Sequence, residues 1–177
     1  MSPTPTPQTG RHPALPQGLS FWSPPALIAT WFGTGLLPKA PGTWGAMAAL
    51  PVAWVLALRI GPWAVLAAAG VLFLAGLWAA KAYLAHARED DPGPVVIDEV
   101  AAQLLVLAPA ALDPLDYALG FLLFRLFDIM KPWPIKEIER RLPGALGVMA
   151  DDIAAAIYAS ICLGVYFVLS GRPHVFF

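Results

Sequence analysis

Residues 60–80 read IGPWAVLAAAGVLFLAGLWAA and contain no charged side chain. An α-helix needs about 20 apolar residues to cross the roughly 30 Å hydrocarbon core of a bilayer. Two other runs, 40–58 and 153–171, are also uncharged and of similar length. With 58% apolar residues and a mean hydropathy of +0.65, the chain is more apolar than soluble domains usually are. The sequence therefore predicts an all-α fold, an integral membrane helical bundle.

A shorter pair of apolar segments lies between the second and third long runs. Segments 100–112 and 117–127 flank the turn formed by residues 113–116. They predict either two short, tilted helices or a re-entrant hairpin packed inside the bundle, where its backbone is shielded from lipid. With the three long runs, this gives about four or five membrane-embedded helices.

A short amphipathic segment follows, between Pro134 and Leu142. Its apolar side chains recur at helical spacing, and its charged side chains lie opposite them. This pattern predicts a helix lying on the lipid headgroups, with Trp133 as an interfacial anchor. Residues 1–25 contain seven prolines and predict a disordered tail. Residues 26–177 then form a single membrane-embedded domain.

Acidic residues sit at the ends of the apolar segments. Carboxylates next to hydrocarbon-length helices are costly and usually mark a functional site. Carboxylate oxygens are also the ligands that Mg²⁺ prefers. The candidate metal ligands are Asp98, Glu99, Asp128, Asp151 and Asp152. Simple capping explains one of the Asp98-Glu99 pair, and the Asp151-Asp152 pair is open to interpretation as the acidic first turn of the last spanning helix.

Two groups of residues are candidates for binding a phosphate. Arg125, Asp128 and Lys131 are spaced to share one helical face before Pro132, either as a salt bridge at the membrane surface or as part of a metal and phosphate site. The second group is a glycine-rich loop whose backbone N–H groups can approach an anion, with Thr43 as a helix N-cap and Lys39 as a cation. Its candidate phosphate-binding residues are Gly33, Thr34, Gly35, Lys39, Gly42 and Thr43. A helix cap and turn without a ligand also explains this loop.

The number of crossings places all these clusters on one face of the membrane. One helix leaves and one returns before Asp98, and the short pair leaves and returns before Asp128. The side of the clusters carries eight basic residues and the other side carries two, which predicts that the side of the clusters is cytoplasmic. The eight are Lys39, Lys81, Arg88, Arg125, Lys131, Lys136, Arg140 and Arg141, and the two are Arg59 and Arg172.

The motifs in combination resemble those of the bacterial phosphatidylglycerophosphatase A family. They run in order from GTGLLPKAPGTWG at 33–45 through VIDE at 96–99, FRLFDIMKPWPI at 124–135 and GVMADD at 147–152. The resemblance implies an all-α, Mg²⁺-dependent phosphatase of the bacterial inner membrane that converts phosphatidylglycerophosphate to phosphatidylglycerol.

The chemistry of the clusters agrees with that activity. A Mg²⁺ ion held by carboxylates activates water, while Lys39, Arg125 and Lys131 stabilise the charge of the transferring phosphoryl group. A phospho-aspartyl intermediate at Asp128 is an alternative to direct attack by water. The catalytic candidates are thus Asp128, Arg125, Lys131 and Lys39.

Two other classes of function fit parts of the pattern. Carboxylates inside a membrane also build ion-coupled transporters, although such proteins place charges near the bilayer midplane and here the charges lie at one end. A structural membrane protein would leave the glycine loop and both acidic pairs without a use. A net charge of −1 gives no reason to expect a nucleic acid partner. The predicted partners are a phospholipid substrate and the bilayer, and an oligomeric state is not predicted.

Overall fold

The computed structural model describes residues 15–88 and 92–172, and within these ranges every regular element is helical. This confirms the predicted all-α fold. The elements in chain order are α1 Pro24–Ala29, a 3₁₀ turn Thr34–Leu36, α2 Pro41–Arg59, α3 Pro62–Leu84, α4 Ile97–Leu107, α5 Pro114–Met130, α6 Ile135–Arg141 and α7 Ala145–Ser170.

Three of the described helices, α2, α3 and α7, are long and apolar enough to cross a membrane. They coincide with the three uncharged runs, because length and the absence of charge are what define such helices. Many of their large apolar side chains point outward, among them Leu74 on α3 and Ile161 on α7. A soluble protein would bury such side chains, so the outer surface fits contact with lipid.

Helix α4 lies at the centre of the bundle. Its 11 residues rise about 17 Å in total, which is well short of a bilayer core. Nine of the 11 are buried, because α2, α3 and α7 all pack against it. Small residues on α2, such as Gly45 and Ala49, allow the two backbones to approach closely. Helix α4 is therefore enclosed by protein and does not present its backbone to lipid.

Helix α5 returns from α4 and starts earlier than the sequence predicted. Asp113 is its N-cap and accepts a hydrogen bond from the Leu115 N–H at 2.7 Å, so the predicted turn at 113–116 is the first turn of the helix. Arg172, after α7, pairs with Asp113 and with the buried Asp116. The start of α5 and the end of α7 therefore lie at the same end of the bundle.

Two predicted helix starts were wrong. Helix α2 begins at Pro41 after Ala40, which has a φ of 49°, so Thr43 lies inside its first turn and is not the N-cap. Helix α7 begins at Ala145, and its first turn contains no acidic residue. Asp151 and Asp152 are buried in the second turn, where the helix dipole does not explain them.

The short helix predicted around 134–142 is present as α6, which buries Ile135 and packs against α7. Trp133 is exposed beside it, and its place at the membrane surface stays a prediction. Of the predicted tail, residues 1–14 lie outside the described residues. Leu15 and Leu19 pack against the hydrophobic core, and α1 begins at Pro24. The domain boundary at residue 25 stays a prediction.

Candidate active site

A cavity of about 350 Å³ opens at the end of the bundle opposite Arg172. It lies where the starts of α2 and α4, the end of α5 and the second turn of α7 meet. Its lining includes all five predicted metal ligands and two of the predicted cations, namely Asp98, Glu99, Asp128, Asp151, Asp152, Arg125 and Lys131. The acidic clusters that are far apart in sequence thus converge on one site.

Three carboxylates in this cavity have the spacing of a metal site. One oxygen from each of Asp98, Glu99 and Asp152 lies within 4.8 Å of the others. Asp98 and Glu99 come from the first turn of α4, and Asp152 comes from α7, which packs alongside. A hard divalent cation at the centre of this set would receive three carboxylate oxygens, which are the kind of ligand that Mg²⁺ and Ca²⁺ prefer.

The electrostatics of the trio also favour a cation. Burial raises the pKa of Asp98 well above its ordinary value, and the adjacent Glu99 and Asp152 carboxylates raise it further. Burial likewise raises the pKa of Glu99, although Asp98 and Arg125 oppose this shift. Glu99 Oε2 and Asp152 Oδ2 are buried, and no described residue donates a hydrogen bond to either. Crowded, buried carboxylate oxygens without donors suit a bound cation.

Arg125 and Asp128 form an ion pair on α5 and lie three residues apart. Arg125 Nη1 also lies 4.0 Å from Glu99 Oε1, so its guanidinium stands between two acidic groups of the cavity. The Asp152 carboxylate lies beside those of Asp128 and Glu99. Arg125 therefore brings positive charge to the edge of the acidic trio, in a position to meet an anionic ligand.

Lys131 does not share a helical face with Arg125 as the spacing predicted. Helix α5 ends at Met130, and Lys131 is its C-cap with a φ of 41°. Its ammonium instead donates to Asp151 at 2.7 Å and to Glu139 on α6 at 2.8 Å. Burial by itself would lower the pKa of Lys131, but these hydrogen bonds raise it above its ordinary value. Lys131 therefore carries a positive charge at the rim of the cavity.

Glu139 is the part of this arrangement that the sequence did not reveal. It lies on the charged face of a short amphipathic helix, where the pattern indicates only a solvated side chain. The contact with Lys131 depends on how α6 packs against α7, and no local signal predicts that.

Of the glycines predicted to bind phosphate, Gly42 lies in the lining of the cavity, at the start of α2. A Cβ at this position would overlap Glu99 Oε1 and lie 3.3 Å from Arg125 Nη1. The N-terminus of α2 therefore packs directly against the Glu99 carboxylate. A larger residue would have to displace Glu99 or Arg125.

The remaining loop candidates lie outside the cavity lining. The Thr34 hydroxyl donates to the Trp31 carbonyl at 2.9 Å. A Cβ on Gly35 would overlap the Pro94 carbonyl oxygen, and one on Gly33 would meet the Phe21 ring. Lys39 is exposed, and Thr43 is half-buried in α2. Local packing thus accounts for Gly33, Thr34 and Gly35, and a phosphate-binding role for these five residues stays a prediction.

Buried carboxylates beside an arginine and a lysine, at one end of a bundle of apolar helices, fit a membrane protein that acts on a phosphate group. A family model described as Phosphatidylglycerophosphatase A matches residues 27–167 of this chain. The chain belongs to the phosphatidylglycerophosphatase A family. It is therefore a lipid phosphatase, and its substrate is a membrane phospholipid. The comparisons give no support to the alternative of a transporter.

Three curated relatives are similar over most of their length. The chain is 37% identical to Phosphatidylglycerophosphatase A of Haemophilus influenzae over 81% of this chain and 88% of that protein. It is 33% identical to Phosphatidylglycerophosphatase A of Escherichia coli over 80% of this chain and 83% of that protein. It is 38% identical to a Bacteroides thetaiotaomicron protein named "Putative phosphatidylinositol-3-phosphatase" over 80% of this chain and 92% of that protein. No solved structure matches the chain.

Proposed function

We propose that this protein hydrolyses phosphatidylglycerophosphate to phosphatidylglycerol and inorganic phosphate in a reaction that depends on Mg²⁺. The observation that supports this most is the meeting of the Asp98, Glu99 and Asp152 oxygens within 4.8 Å, beside Arg125. A site of three oxygen ligands with an adjacent guanidinium suits a divalent cation and a phosphate ester together. Two of the named relatives carry the same activity in their names.

In this proposal Asp98, Glu99 and Asp152 hold the metal ion. When bound, Mg²⁺ supplies positive charge to the phosphoryl oxygens and makes the attacking water more acidic. Asp128 and Asp151 line the same cavity, but each is paired with a cation, Arg125 and Lys131 respectively. We assign these two aspartates to holding the cations in place.

The reaction itself needs little covalent chemistry from the chain. The water oxygen forms a bond to phosphorus as the ester P–O bond breaks. One proton of the water passes to the leaving glycerol oxygen, and the other stays with the phosphate. Arg125 and Lys131 stabilise the charge spread over the phosphoryl oxygens in the transition state. The pairing of Asp128 with Arg125 makes its carboxylate a weaker nucleophile, which favours water over a phospho-aspartyl intermediate.

The orientation of the protein follows from its charges. We propose that the cavity opens to the cytoplasm at the bacterial inner membrane, because basic side chains such as Lys136 and Arg141 surround that end of the bundle. The ends of α2 and α7 that carry Arg59 and Arg172 would then face the opposite side. Exposed Lys39 lies on the loop before α2 and would attract the anionic headgroup as it approaches.

Phosphate release from two lipids tests the substrate. The purified protein in detergent micelles, with Mg²⁺, should release phosphate from phosphatidylglycerophosphate. Phosphatidylinositol 3-phosphate is the matched comparison, because one relative is named for that class of substrate. A clear preference for the inositol lipid would assign the protein a different substrate headgroup and would not contradict the proposed metal and phosphate site. No release from either lipid would contradict the proposed function.

A further inference from the structure

Gln103 is a buried amide in the middle of α4. Its side chain has no exposed surface, and neither its Oε1 nor its Nε2 has a hydrogen-bond partner among the described residues. Leaving a buried polar group without a partner costs roughly 1–3 kcal/mol. An apolar residue would avoid this cost, so the presence of a carboxamide at this position needs an explanation.

The position of Gln103 on α4 relates it to the acidic trio. Gln103 follows Glu99 by four residues, so the two side chains lie on the same face of the helix, one turn apart. That face is directed toward Gly42 and Arg125, which both contact Glu99. Gln103 is thus the next polar side chain of α4 after the candidate metal ligands Asp98 and Glu99.

Glu99 needs the kind of group that Gln103 provides. Glu99 Oε2 is buried and lacks a hydrogen-bond donor among the described residues. A carboxamide offers two N–H donors, whereas the residues around it on α4 are apolar. The residues of α4 that flank Gln103, Ala102 and Leu104, offer Glu99 no side-chain donor.

We infer that Gln103 is a positioning residue that donates a hydrogen bond to the Glu99 carboxylate across one buried water. This inference rests on the proposed metal site. The hydrogen bond fixes the rotamer of Glu99 and supports its charged form, so that its oxygen faces Asp98 and Asp152. Partners that orient metal-binding carboxylates in this way typically change metal affinity 10–100-fold when they are removed.

Metal binding provides the test, with Mn²⁺ as the probe. Binding of Mn²⁺ to the purified protein in micelles is measured from the signal of the free ion by electron paramagnetic resonance. Gln103→Met keeps the length of the side chain and removes both donors, and we expect its affinity for Mn²⁺ to fall about tenfold. The metal-free variant should still show a cooperative thermal transition, so that the loss of affinity is not a loss of fold.

The control is Leu104→Met, at the neighbouring and equally buried position on a different face of α4. It should bind Mn²⁺ as the native protein does. Should Gln103→Met lack a cooperative thermal transition, Gln103→Leu takes its place with the same expected loss. Native affinity in a folded Gln103 variant overturns the inference and leaves the metal site standing. Absence of Mn²⁺ binding by the native protein overturns both the site and the role of Gln103.

Discussion

The Lys131 ammonium donates a hydrogen bond to the Asp151 carboxylate at 2.7 Å and so joins the end of α5 to the second turn of α7. The two residues are 20 positions apart, and α6 lies between them in the chain. Glu139 from α6 binds the same ammonium at 2.8 Å. One lysine therefore holds three helices in place at the rim of the cavity.

Removal of Lys131 should destabilise the protein. Lys131→Ala leaves Asp151 buried without the ammonium, and we expect a loss of about 1–3 kcal/mol in the free energy of unfolding. Glu139→Gln removes the more exposed partner and should cost less than about 1 kcal/mol. Denaturant unfolding of both variants in micelles measures the difference. Equal losses in the free energy of unfolding would show that the Lys131–Asp151 pair stabilises the protein no more than the exposed Lys131–Glu139 pair.

Gly42 should tolerate no side chain. The Cβ of Gly42→Ala would overlap Glu99 Oε1 and force the carboxylate out of its position, so phosphate release should fall at least about tenfold. Gly70→Ala is the matched control, because a Cβ there meets nothing within 4 Å in the middle of α3. The control should keep full activity and gain a little stability, since alanine favours a helix. Full activity in Gly42→Ala would mean that Glu99 does not contribute to catalysis.

Arg125→Lys should slow the reaction more than it weakens substrate binding. The guanidinium can hold a phosphate with two N–H groups, and an ammonium cannot. If this contact forms mainly in the transition state, kcat falls about 10–100-fold while KM changes little. Steady-state kinetics at a fixed surface fraction of lipid separates the two quantities. A kinetically silent Arg125→Lys would reduce the Arg125–Asp128 pair to a structural role.

The membrane orientation can be tested by labelling cysteines from each side. In a background with Cys162→Ala, Lys136→Cys on α6 and Arg59→Cys at the end of α2 are both exposed positions. An impermeant maleimide should label Arg59→Cys in intact spheroplasts and Lys136→Cys only in inside-out vesicles. Labelling of both variants from one side would contradict the proposed topology.

The long helices were predictable because their signal is physical and local. An uncharged run that is long enough to cross a membrane has few possible structures other than a helix, as in α2, α3 and α7. Their starts were less predictable, since the residues before α2 and α7, Ala40 and Gly144, have positive φ values that the local sequence does not require. This error placed Asp151 and Asp152 in a first turn, whereas they lie in the buried second turn of α7.

The candidate site was predictable in its acidic residues and less so in its cations and glycines. Buried carboxylates have few structural uses, so Asp98 and Asp152 stand out in an apolar chain. Lys131 has two partners that depend on tertiary packing, and helical spacing alone placed it on the wrong face. Glycine has several uses, and the loop pattern did not separate Gly42 at the cavity from Gly35, which allows close contact with Pro94.

Phosphate release as a function of Mg²⁺, measured for the native protein and for Asp152→Asn, tests the proposed metal site most directly. Asn keeps the size of the side chain and loses the anionic ligand, so the variant should stay folded and lose at least about 100-fold in activity at Mg²⁺ that saturates the native protein. Asp113→Asn, at the far end of the bundle, serves as the control with the same chemical change. We expect a chelator to abolish native activity and added Mg²⁺ to restore it. Activity that survives chelation, or a folded Asp152→Asn variant with native turnover, would contradict the claim that these carboxylates hold a catalytic metal ion.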